Sequence, residues 1–197
     1  MGQRIAAASA SPTGGVLMTT FPLPELTSEK EAEYKLFPIN LTRMLLRTKS
    51  STVPFLKLGL SFRDAHVPGS VREAVIMRVG ALLECPYEMV QHRPEALRFG
   101  NSENLIDAIT DISGKRKFDD PAISALIRYI DSAVKNTQAD DAALDEIRRH
   151  FSDDQVAEIT LIIGHYVMNA IFVRSLRVPL DAGPGDFNAG AAELKAM

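Results

Sequence analysis

The sequence predicts an all-α protein, and three observations carry that reading. Apolar residues recur at spacings of three and four, as at Val156, Ile159, Ile163 and Val167, the period of one helix face. Helix-starting residues stand ahead of such runs: Asn40, Ser102, Asp120, Asp140, and Ser152 with Gln155 three positions on. No two alternating apolar and polar runs joined by a turn mark a strand pair.

The elements follow in order. Residues 1–20 are small and polar without periodicity and read as a flexible lead. FPLPEL at 21–26 has two prolines too close for a helix and reads as an extended arm. Asn40 caps a short helix carrying Leu41, Met44 and Leu45, and Pro54 begins another with Phe55, Leu58 and Phe62 inward. Ser70-Val71-Arg72-Glu73 reads as a capping box. It opens a helix over about 71–83 that is apolar nearly all round and therefore central. Cys85-Pro86 starts the next helix, with Pro at a permitted first-turn position, and Gly100 closes it. Shorter helices follow Ser102, Asp120 and Asp140, and a long one runs from Ser152 to about Leu176. The stretch 178–197, VPLDAGPGDFNAGAAELKAM, is rich in Gly, Ala and Pro and reads as a tail, which leaves one domain over 21–177.

A chain of 197 residues, 46% hydrophobic, buries a sizeable core without disulfides or metals. Its single cysteine excludes an internal disulfide framework and a Cys₄ or Cys₂His₂ zinc site. No metal centre is expected. A lone thiol fits a reducing compartment, so the cytoplasm is the expected location. Net charge is −3 and the densest basic run is only Lys115-Arg116-Lys117, so no nucleic-acid surface is expected. No apolar stretch is expected to cross a membrane, and the first residues lack the apolar core of a secretory signal.

The chemistry concentrates in ECPYEMVQH at 84–92. Glu88 and His92 stand one turn apart on a helix face that Ala96 and Phe99 continue inward. A partly buried carboxylate beside an imidazole can hold a proton for transfer either way; the same pair on a surface would be a minor ion pair. Cys85 at the helix N-terminus is either a stabilised thiolate or a small buried hydrophobe. Glu73 either closes its capping box or, once the turn after Leu83 folds the helices together, approaches the Glu88–His92 face. A second polar cluster, His165, Tyr166 and Asn169, lies midway along the long helix. It is either a bonded core histidine or a further wall of the same pocket.

The joint spacing of Glu73, Cys85, Glu88 and His92 resembles the carboxymuconolactone decarboxylase and alkylhydroperoxidase D superfamily, whose peroxidase branch carries E-x₁₁-C-x₂-C-x₃-H. REAVIMRVGALLECPYEMVQHRPEALRFG is similar to the family's central helical hairpin. The resemblance is strong over about 54–110 and weaker over 120–176. It implies an all-helical bundle around a buried helical hairpin, assembly as a trimer or multiple of three, and sites near subunit contacts. Position 88 is Glu where the peroxidases have their second cysteine, so an internal disulfide cycle cannot run here. The Tyr87-Glu88 pair followed by His92 resembles the decarboxylase-like branch, which implies no cofactor and the loss of CO₂ from a carboxylated unsaturated lactone. His92, Glu88, Glu73 and Cys85 are then the candidate catalytic residues. Arg72, Arg78, Tyr87 and His165 are candidates to contact a small anionic substrate, with Arg93 also near in sequence. The runner-up is a peroxidase using Cys85 and an external thiol. The third reading is a non-catalytic helical oligomer.

Overall fold

Arg72 to Gly80 form a run in which every residue is buried, and the rest of the chain is arranged around it. A computed structural model describes residues 21–197; the expected lead at 1–20 lies outside the described residues. These form ten α-helices and no strand: α1 Ser28–Leu36, α2 Asn40–Leu45, α3 Thr52–Ser61, α4 Gly69–Leu82, α5 Pro86–Arg98, α6 Glu103–Thr110, α7 Pro121–Asn136, α8 Asp141–Ile147, α9 Asp153–Ser175 and α10 Ala191–Ala196. A 3₁₀ turn, Phe62–Asp64, follows α3.

The central helix α4 packs against α5, α6, α7 and α9. Val75, Ile76, Met77 and Val79 meet Ile106, Ile109, Leu126, Ile130, Ile159 and Ile162 in one cluster. Each such side chain contributes about 1.5–3 kcal/mol when fully buried, which is why a helix apolar all round lies at the centre. The α4–α5 turn satisfies the last carbonyls of α4 through Cys85 N–H to Gly80 O (2.8 Å) and Glu84 N–H to Ala81 O (3.0 Å). That is a Schellman closure with Glu84 left-handed at φ 47°. Gly80 lets the two helices close, since a Cβ there would lie 3.2 Å from the Glu88 Cβ.

Side-chain caps form at Ser102, Asp120, Asp140 and Ser152, the last a full capping box with Gln155. The capping box expected at Ser70 does not form. Helix α4 begins at Gly69 after Pro68, without a side-chain cap. Glu73 is drawn instead to Arg72 and His92, because charged partners outweigh one backbone N–H. Asn40 is the first residue of α2 rather than its cap. Its amide donates to the Pro179 and Leu180 carbonyls.

The FPLPEL arm is extended and lies on its own chain. Arg43 Nε donates to Pro24 O at 3.0 Å and Arg47 Nε to Pro22 O at 2.8 Å. The 178–197 stretch folds back over the body. Asp181 accepts from Asn40 N–H at 2.8 Å, Gly185 N–H donates to Gln91 Oε1 at 2.6 Å, and Leu194 is buried beside Leu36 and Leu56. Gly190, at φ 62°, passes so close to α1 that a Cβ would lie 2.2 Å from Leu36 O. The stretch is therefore a strap across one end of the bundle.

Against expectation, α9 is long and apolar enough to cross a membrane by length and composition. Half of that window is buried within the chain, and it carries the buried polar residues His165 and Asn169. Its apolar length comes from serving the core on one side. Its other side exposes Leu161, Met168 and Ile171.

Candidate active site

Helices α4, α5 and α9 each turn polar side chains into a cavity of about 100 Å³, walled by aromatic and aliphatic groups from α3 and the strap. Glu73 comes from α4, Glu88 and His92 from α5, and His165, Tyr166 and Asn169 from α9. Glu73, Glu88 and His92 are all nearly inaccessible.

The imidazole lies between two carboxyls. His92 Nδ1 is 2.9 Å from Glu73 Oε2, and Nε2 is 3.6 Å from Glu88 Oε2. The first is a hydrogen bond; the second is too long for one, so Nε2 and Glu88 face each other across a gap. Glu73 Oε1 accepts from Arg72 Nε at 2.9 Å and lies 2.8 Å from its Nη2. Asn169 Nδ2 donates to Glu88 Oε1. The His92 ring meets Tyr166 edge-on at 5.1 Å, and Phe187 of the strap packs on it at 4.9 Å.

The environments push these groups apart. Burial opposes charge on Glu73, but His92 and Arg72 beside it hold its carboxyl below the usual range. Burial, helped by the nearby Glu73 charge, pushes Glu88 up to about 7 despite His92. Burial opposes the charge on His92, yet the Glu73 carboxylate raises its pKa. Burial and the positive charge of His92 push His165 down to about 4, leaving it neutral. One carboxylate is thus fixed as an anion, Glu88 exchanges its proton near neutrality, and His92 is held toward its protonated form by Glu73. That separation is what general acid–base work requires.

The raised Glu88 pKa has a stability consequence. Folded Glu88 keeps its proton to about pH 7, whereas an ordinary glutamate releases it near 4.5. The folded state binds more protons in that window, so stability falls as pH rises through it, by roughly 3 kcal/mol. His92, raised as well, loses its contribution in the same direction as pH passes its folded pKa. The Glu73 contribution is lost only below the window, as that carboxylate protonates. Glu88→Gln keeps an acceptor for Asn169 and is expected to flatten the decline, as read from urea unfolding at a series of pH values.

The other residues singled out in the sequence fall in different places. Tyr87 lines the cavity, but its hydroxyl donates to Asp181 Oδ2 at 2.5 Å and accepts from Leu41 N–H at 3.0 Å. It anchors the strap. Arg78 lies away from the cavity, paired with Asp131 through two 2.6 Å contacts and donating to the Ile109 and Asp111 carbonyls. Arg93 faces outward to Glu103 and Asp107. Cys85 is not among the lining residues. It is 1% exposed in a separate apolar cluster with Met44, Tyr87 and Val173, and burial pushes its thiol up. Sequence reasoning missed Arg63, Gln91, Glu95 and Phe187, which also line the cavity. Gln91 and Glu95 were findable, because they continue the Tyr87 and His92 faces of α5 by one turn. Nothing local marks Arg63 or Phe187.

No family model and no curated protein matches the sequence. Solved structures match it in fold. A cysteine-to-alanine variant of the debrominase Bmp8, in complex with 2,3,4-tribromopyrrole, aligns at 18% identity over 90% of this chain and 98% of that one, with TM-score 0.72. The same debrominase without ligand aligns with TM-score 0.71 at 18% identity, over 90% and 99%. An uncharacterized peroxidase-related protein from Ralstonia eutropha JMP134, an alkylhydroperoxidase AhpD core, aligns at 15% identity over 85% and 95%, with TM-score 0.69. The chain therefore shares the all-α fold of these structures, built here on a buried helical hairpin.

Proposed function

We propose that this chain is an acid/base enzyme of the carboxymuconolactone decarboxylase-like kind, acting without a cofactor on a small carboxylated lactone or ring-derived acid. One observation carries the reading: in an aromatic-walled cavity His92 is hydrogen-bonded to Glu73 and faces Glu88 at 3.6 Å, while the lone cysteine lies outside the cavity. In decarboxylation the bond to the carboxyl carbon breaks, its electron pair moves into the ring carbonyl as a dienolate, and CO₂ leaves. The carbon then takes a proton from the Glu88–His92 pair, which is replenished from solvent. Glu73, held charged by Arg72, orients His92 and stabilises its protonated form. Isomerisation by proton transfer beside a carbonyl uses the same groups.

The single-cysteine peroxidase is the alternative the motif allowed. A buried thiol with a raised pKa is the reverse of what an attacking thiolate needs. The test is a screen of carboxylated lactones for CO₂ release, beside hydroperoxide treatment with a sulfenic-acid trap. Release of CO₂ that persists in Cys85→Ser is expected. Rapid trapping at Cys85 with no CO₂ release from any lactone would overturn the reading.

The same reading includes a homo-oligomer, a trimer or multiple of three, in a reducing compartment such as the cytoplasm. Its support is the exposed stripe Leu161, Met168 and Ile171 on α9, spaced seven and three along one helix face. Ile171→Glu is expected to lower the sedimentation mass toward that of one chain while leaving helix content unchanged.

A further inference from the structure

Two arginines, Arg63 and Arg72, line the cavity. Arg72 is matched by Glu73 within 2.9 Å. Glu95 takes both arms of Arg98, at 2.8 and 2.5 Å. Glu88 holds its proton to about pH 7. Arg63 remains.

Arg63 sits in the 3₁₀ turn and lines the same cavity, with its side chain only 21% exposed. Its contacts are long: 3.3 Å to Phe187 O, 3.4 Å to Asn188 Oδ1 and 3.6 Å to Glu95 Oε2. All lie at or beyond the long end of hydrogen-bond geometry, so the planar fork can turn to a better acceptor. A carboxylate is the acceptor that fork fits, through two parallel hydrogen bonds. Glu95 stands three residues beyond His92 on α5, so Arg63 approaches the helix about one turn from the imidazole. Phe187, whose carbonyl Arg63 holds, also packs on the His92 ring.

We infer that Arg63 is the anion anchor of the cavity, and that the ligand it selects is a ring-shaped monocarboxylate lying between Arg63 and His92 against Phe187. This deepens the acid/base reading and rests on it only for which atom reacts; anion binding at Arg63 does not require turnover.

Benzoate and its neutral counterpart benzamide are suitable probes, titrated into the full chain while the Tyr166 and His92 ring signals are followed by NMR. The wild-type chain is expected to bind benzoate about tenfold or more tightly than benzamide, as a charge-assisted fork implies. Arg63→Gln is expected to bring benzoate down to the benzamide level and leave benzamide unmoved. Arg63→Lys, which keeps the charge, is expected to retain part of the preference. Equal binding of the two probes by the wild type, no benzoate-dependent shift at millimolar concentration, or an undiminished preference in Arg63→Gln would each overturn the inference. His92→Gln separates the two claims. Benzoate binding that survives there, with turnover lost, supports both; turnover that survives sinks the acid/base reading while the Arg63 result still stands or falls alone.

Discussion

Replacing His92 by glutamine is expected to lower turnover of a carboxylated lactone by about 10²–10⁴-fold, the usual worth of a positioned acid/base group. The imidazole is the only group of the array that touches both others: Nδ1 takes Glu73 at 2.9 Å and Nε2 faces Glu88 at 3.6 Å. Glutamine fills similar space and can still donate to Glu73, so the fold is preserved, but it cannot exchange a proton near neutrality. The loss is expected in kcat rather than KM, because the proposed roles put His92 on the proton and Arg63 on the anion. Cys85→Ser is the control, with activity expected near wild type because the thiol lies in a separate apolar cluster. Steady-state CO₂ release by the two variants, with circular dichroism to check folding, decides the comparison.

Replacing Glu73 by alanine is expected to destabilise the fold by about 3–5 kcal/mol, the cost of breaking a buried charge pair from one side. Glu73 and Arg72 are 2% and 5% exposed. Without the carboxylate, Arg72 keeps the Phe62 carbonyl at 3.3 Å and no counter-charge, while His92 loses its Nδ1 partner. Total stabilities of about 5–15 kcal/mol make such a loss severe. Glu73→Gln is the gentler probe, since it keeps an acceptor for Nδ1 and removes only the charge. Its expected signature is a lowered His92 pKa, because the Glu73 carboxylate raises it most among the nearby acids. Urea midpoints for both variants and an NMR titration of His92 in Glu73→Gln check the pair of outcomes.

Much of this site was legible because it is local. Glu88 and His92 are four residues apart on one helix, and any helix started by Pro86 puts them on one face. Glu73 joined them because the closure after Leu83 is short and Gly80 lets α4 and α5 meet. What failed did so where tertiary partners outweighed a local rule. The capping box at Ser70 lost Glu73 to Arg72 and His92. Of the two readings of Cys85, the buried hydrophobe is the one its 1% exposure fits, since a dipole effect of a few tenths to about 1 kcal/mol at a helix N-terminus does not offset that burial. The strap could not be read at all. Asp181 reaches Tyr87 and Gln91 across 94 and 90 positions, and the Gly, Ala and Pro composition of that stretch carries no period. The same distance hides Phe187 and, with it, the reason Arg63 faces the cavity.

The most direct test of the acid/base site is a titration of the glutamate side-chain carboxyl carbons by ¹³C NMR in the wild-type chain and in His92→Gln. The Glu88 carboxyl should titrate near 7 and move higher when His92 is replaced, because the imidazolium charge that favours its ionisation is gone. The Glu73 carboxyl should titrate below the usual carboxylate range. If both carboxyls titrate at ordinary glutamate values and neither responds to the loss of His92, the array does not exist as a coupled proton-holding unit and the proposed chemistry has no seat in this fold.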